Sequence, residues 1–113
     1  MWQKAMDVVL ECYSLTDAFP KDERFGLTQQ LRRAVVSIPS NIAEGKGRGT
    51  TGAYLNHLSI AAGSIAEVDT QMELAKKLNY VDASAVEPLI LKLEEIGRMI
   101  SGLKRSLEGR ANS

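Results

Sequence analysis

Between Tyr54 and Ala75 the apolar side chains fall at Tyr54, Leu58, Ala61, Ile65, Val68, Met72 and Ala75. Their intervals alternate between four and three, which is a heptad seam. A strand buries every second residue and cannot use this spacing, so the segment from about Thr51 to Asn79 reads as a long amphipathic helix. Such a helix is stable in water only when its stripe is covered by other elements. The rest of the chain must therefore supply matching faces.

It does so three more times. From about Trp2 to Ala18, Ala5, Val8, Val9, Cys12, Leu15 and Phe19 form one stripe, and Trp2, Met6, Leu10 and Tyr13 form a second beside it. Together they cover roughly 220°, about twice the arc a surface helix needs. Two readings fit: a helix packed between several neighbours, or one whose extra arc faces another subunit. The next segment carries Leu27, Leu31, Ala34, Val35, Ile38 and Ile42, and the last carries Val86, Leu89, Leu93, Ile96, Ile100, Leu103 and Leu107.

Turn chemistry separates the four. In "FPKDERFG" Pro20 stops the first helix and Asp22 can cap the second. "EGKGRGTTG" is a pliable connector, with Thr50 or Thr51 as the cap of the third helix. In "NYVDASAVEP" Asn79 can take the left-handed cap conformation, Asp82 or Ser84 can begin the fourth helix, and Pro88 is tolerable only near its start. Four amphipathic helices with short connectors predict an all-α fold, an antiparallel up-down-up-down four-helix bundle forming a single domain over residues 1–113.

Pro39 interrupts the second segment. It has no amide hydrogen to offer the carbonyl of Val35, and its ring crowds that carbonyl. Either the helix breaks near Ser37 or it kinks and continues, with the Ser37 and Ser40 hydroxyls compensating. Val35, Ile38 and Ile42 stay in phase across the proline, which favours a helix kinked near Pro39 but continuous. Asn41 with Glu44 three residues on would make an internal capping box if the helix broke.

Charge narrows the function classes. Fourteen basic and fourteen acidic side chains cancel over 113 residues, so no global field draws the protein to nucleic acid or membrane, and recognition must come from local clusters. Arg32, Arg33, Lys46 and Arg48 face only Glu44 within their stretch, and Arg98, Lys104, Arg105 and Arg110 gather near the end of the fourth helix against Glu108. In an up-down bundle the second and fourth helices end on the same side, so the two excesses can merge into a positive cap suited to phosphate. Cations also collect at helix C-termini because they complement the macrodipole, and the pattern alone fits that equally.

Catalytic and metal chemistry find little here. The single histidine, His57, has Tyr54 three residues before it, which excludes the paired Glu-x-x-His motifs of a di-iron bundle. Cys12 lies on a buried stripe, and one cysteine permits no intrachain disulfide. "GKGRG" lacks the spacing and the hydroxyl of a phosphate-binding loop. No uncharged run approaches the roughly 20 residues of a membrane span. The expectation is a soluble cytoplasmic protein with no enzymatic activity, cofactor or metal. On the third helix, Glu67 and Gln71 belong to an acidic and amide cluster, and Glu67, beside the seam residue Val68, is the candidate to meet Arg32 or Arg33.

"QLRRAVVSIPSNIAEGKGR" followed by "IAAGSIAEVDTQMELAKKLNY" resembles the small bacterial four-helix-bundle proteins encoded within intervening sequences of large-subunit ribosomal RNA genes. By architecture there is a more distant resemblance to the accessory protein of diversity-generating retroelements. The first resemblance covers nearly the whole chain. The matching positions are Arg32, Arg33, Ser37, Pro39, Ser40, Asn41, Glu44, Gly45 and Arg48, then Gly63, Ser64, Glu67, Thr70 and Gln71. The chain departs at Gly52-Ala53-Tyr54, where an acidic residue usually precedes the aromatic, and at Ala62, a position that is often arginine. The resemblance implies a ring of five copies, association with RNA, and no catalysis. Two partner classes follow besides the chain itself: RNA or a ribonucleoprotein, contacted through Arg32, Arg33, Lys46, Arg48, Lys104 and Arg105, or a protein encoded nearby, held by a scaffold with no nucleic-acid ligand.

Overall fold

The computed structural model describes residues 1–111 and contains four α-helices: α1 (Trp2–Thr16), α2 (Leu27–Gly47), α3 (Thr51–Lys77) and α4 (Ala83–Ala111). No strand occurs among the described residues. Helices adjacent in sequence pack together and α1 closes against α4, so the four form an antiparallel up-down-up-down bundle, a rod of 51 × 24 × 20 Å.

The predicted seams meet along its axis. Val8, Leu31, Val35, Ile38, Leu58, Val68, Met72, Leu89, Leu93, Ile96 and Ile100 are all fully or almost fully buried in one contiguous core. Removing such side chains from water at about 25 cal/mol per Å² is the main source of stability. The first stripe of α1 joins this core through Ala5, Val8 and Cys12. Its second stripe does not: Trp2 is 46 %, Met6 43 %, Leu10 70 % and Tyr13 40 % exposed. Of the two readings, packing between several neighbours of the same chain is therefore not what the fold provides, because among the described elements α1 packs on α2 and α4 and leaves the outer arc to solvent.

The ends of the helices largely follow local chemistry. The Thr50 hydroxyl oxygen accepts from the Ala53 amide at 3.2 Å and caps α3. Asn79 adopts φ 62°, and the Asn79 and Tyr80 amides return to the carbonyls of Lys76 and Ala75 at 3.0 and 2.9 Å, closing α3 in a Schellman turn. At the α1–α2 connector, on the same end of the rod, the N-cap residue of α2 is Gly26, and the side chain that serves the first turn is Glu23 rather than Asp22. One Glu23 carboxylate oxygen accepts from the Leu27 amide at 3.2 Å and the other from the Tyr80 hydroxyl at 2.7 Å. Tyr80 in turn packs at a tilt, with ring centroids 5.6 Å apart, against the buried Phe19, so this end of the rod is plugged by aromatic rings.

α2 runs unbroken across Pro39, whose ring is buried. The hydroxyls proposed to compensate the proline act elsewhere: Ser37 bonds to α3 and to Asn41, while Ser40 faces solvent. Pro88 sits in the second turn of α4 on the outer surface.

Candidate nucleic-acid interface

The motif residues of α2 build a polar seam against α3. Ser64 donates its hydroxyl to Ser37 Oγ at 2.8 Å, and the Asn41 amide nitrogen donates to Ser37 Oγ and to the Ser37 carbonyl, both at 2.9 Å. This turns Asn41 Oδ1 toward His57 Nδ1, 2.9 Å away, so Nδ1 must carry the proton. Gly45 lets the helices close on this network, because a Cβ there would sit 2.6 Å from His57 Cβ and 3.2 Å from Tyr54 Cδ1. Glu44 does not reach back to Asn41. Its carboxylate accepts from Arg48 at 2.7 Å, a bond that holds its carboxyl below the usual carboxylate range. Further along, the Gln71 amide nitrogen donates to Glu67 Oε2 at 3.3 Å and Gln30 Oε1 at 3.4 Å, while Gln71 Oε1 is buried without a partner among the described residues. Glu67 stays exposed and lines a surface groove with Arg33 and Ser64, without forming an ion pair to either Arg32 or Arg33.

The six cations expected to contact phosphate fall into two groups. Arg33 and Lys46 are thirteen positions apart on one helix, roughly 20 Å along its axis. Lys46 and Arg48 end α2 on the same side as Lys104 and Arg105 of α4. α3 begins between them with no carboxylate from Thr51 to Ala66. Arg48 is half-exposed and shares its charge with Glu44. Arg32 and Arg33 lie toward the other end, beside the end of α1. The Arg32 guanidinium donates to Thr16 Oγ1 and Asp17 Oδ1, each at 2.9 Å, and lies 4.5 Å over the Tyr13 ring. It is committed within the chain, whereas Arg33 is exposed.

A family model described as 23S rRNA-intervening sequence protein matches residues 1–102. The chain belongs to that family. It is also similar to a crystal structure from Bacteroides thetaiotaomicron, described as a protein with unknown function from the S23 ribosomal protein family. The two share 20 % identity at a TM-score of 0.81, over 91 % of this chain and 96 % of that one, a likeness that establishes the fold. No protein of curated function matches the chain.

Within this intervening-sequence family member two features escaped the sequence reading. His57 is the partner of Asn41, visible only once α2 and α3 are paired. Phe25, read as part of a turn, is 81 % exposed and lies under the Arg24 guanidinium at 5.5 Å. An aromatic directly after the charged run of residues 21–24 was the available signal. Burial pushes the Cys12 thiol up to about 11, so it stays protonated at neutral pH and is no nucleophile. Among the described residues no cluster of three or more His, Cys, Asp or Glu is arranged to hold a metal, and no helix is long and apolar enough to cross a membrane.

Proposed function

We propose that this chain is a non-catalytic, homo-oligomeric bundle of the cytoplasm that associates with RNA or a ribonucleoprotein through the end where α2 and α4 terminate. The reading is carried by one observation: Lys46, Arg48, Lys104 and Arg105 share that end, and the first half of α3 between them has no carboxylate. Cations there contact phosphates, and repetition around a ring of copies multiplies individually weak contacts. Macrodipole complementation by the same side chains is compatible with this role, since a helix terminus does not consume the outward face of a lysine.

The test is RNA affinity of nucleic-acid-free protein as a function of salt. Binding is expected to weaken with a slope of about 0.7 per phosphate contact for single strands. Lys46→Gln and Arg105→Gln should each flatten that slope. Absence of affinity at low salt ends the proposal. A second reading, a scaffold for another protein, is favoured by the exposed stripe of α1. A defined partner that co-purifies regardless of nuclease treatment would select it.

A further inference from the structure

Where α1 ends and α2 begins, the surface opens into a groove of about 570 Å³ whose wall includes Tyr13, Arg24, Phe25, Arg32 and Arg33. Among the described residues no carboxylate lines it. Of its three arginines only Arg32 is neutralised, by Asp17; Arg24 and Arg33 form no ion pair among the described residues. Phe25 presents a ring that is 81 % exposed, with the Arg24 guanidinium near it, and Tyr13 lies under Arg32.

Two cations without an ion pair beside one exposed aromatic ring, that of Phe25, match a ligand that is anionic and flat at once. An apolar peptide would cover Arg24 and Arg33 without an anion, which is costly. Duplex RNA would meet the cations, but its bases are stacked inside and cannot reach Phe25. Single-stranded RNA supplies both parts, because every base has a π face and every linkage a phosphate.

We infer that this groove receives an unpaired nucleotide of single-stranded RNA, its base on Phe25 and its flanking phosphates on Arg24 and Arg33. The inference rests on the RNA-binding reading above and adds a second contact, toward the other end of the rod, that selects single strands. Arg32 is a positioning residue that holds Tyr13 and the end of α1 in place.

The probes are a fluorescent oligoadenylate and a blunt RNA duplex of the same length, titrated against the full chain. Phe25→Ala should lower oligoadenylate affinity between about 5- and 150-fold, with duplex affinity and salt slope unchanged. Arg33→Gln should reduce the salt slope for oligoadenylate by about 0.7. Lys46→Gln, at the other end, should weaken both probes. Because the Phe25 ring is mostly in water, its removal leaves the fold intact, which circular dichroism checks. If Phe25→Ala binds oligoadenylate as tightly as the parent, the groove is no base site, and the RNA reading stands without it. If Phe25→Ala alters the oligomer and not RNA affinity, the groove is a contact between copies and the inference falls. If the parent binds neither probe, both readings fall together.

Discussion

At Gly45 one missing methyl group sets the distance between two helices. A Cβ there would meet His57 Cβ at 2.6 Å, and that atom is tied to the α3 backbone and cannot swing aside. Gly45→Ala should therefore separate α2 from α3 and cost about 1–3 kcal/mol, an overpacking penalty that exceeds the helix-propensity gain. Gly63, on the exposed side of α3 with nothing within 4 Å of its absent Cβ, is the internal control. Gly63→Ala should stabilise by about 0.5–1 kcal/mol, because only the entropy of the unfolded chain changes. Denaturant midpoints of the two variants should move in opposite directions. Glu23 makes a pH-dependent prediction. Its hydrogen bond from Tyr80, then that from the Leu27 amide, lowers its carboxyl below the ordinary value. The unfolded chain thus binds a proton before the folded one does, so this contribution is present above the ordinary carboxylate value and is lost as pH falls through the lowered one. The advantage of the parent over Glu23→Gln should be full at neutral pH and disappear across that acidic window in pH-dependent melts. Residue roles were legible in the sequence where partners are local: Thr50 and Asn79 work within one turn of chain. They were not legible at Gly45 or Glu23, whose partners His57 and Tyr80 come from distant segments.

Among the elements, periodicity carried nearly all the information. The seams of α2, α3 and α4 were readable because each stripe is narrow enough to have one inward direction. α1 was ambiguous because its two stripes are adjacent, and only the positions of α2 and α4 decide which is covered. Continuity of α2 across Pro39 was readable from Val35, Ile38 and Ile42, since a break would have thrown Ile42 out of phase with the core. How α1 is fastened to α2 was not readable. Arg32 stands in a basic run that suggests an outward role, yet its guanidinium spans Thr16, Asp17 and the Tyr13 ring. This contact uses the planar fork and not merely the charge, so lysine cannot replace it. Arg32→Lys should cost about 1–2 kcal/mol through lost hydrogen bonds and stacking. It should leave the salt dependence of RNA binding unchanged, because the total charge is the same. A variant with unaltered stability but weakened RNA affinity would show that Arg32 faces the ligand instead.

Over the whole molecule the unanswered surface is the outer arc of α1. Trp2, Met6, Leu10 and Tyr13 succeed one another at four, four and three residues, so they form a continuous row along one face of the rod. Single exposed apolar side chains are ordinary, but four in register, with Leu10 70 % exposed, make a strip that water penalises along the length of a helix. Covering the exposed part of Leu10 alone would contribute about 1–2 kcal/mol at each contact, and in a closed ring every copy contributes once. Leu10→Glu should thus shift the protein to a monomer at concentrations where the parent sediments as an oligomer. The monomer should keep its helical content, because Leu10 is 70 % exposed and is not part of the buried core. Trp2 is the only tryptophan and lies at the end of the same row, so its emission should move to longer wavelength on the same change. If the parent sediments as a monomer, or if Leu10→Glu assembles normally, the row is not what joins the copies. Under the proposed function phosphate contacts repeat around a ring of copies, and the Leu10→Glu monomer should then bind long RNA far more weakly than the parent while binding a short oligonucleotide equally. Loss of affinity for both lengths would mean instead that the RNA site itself is built between copies.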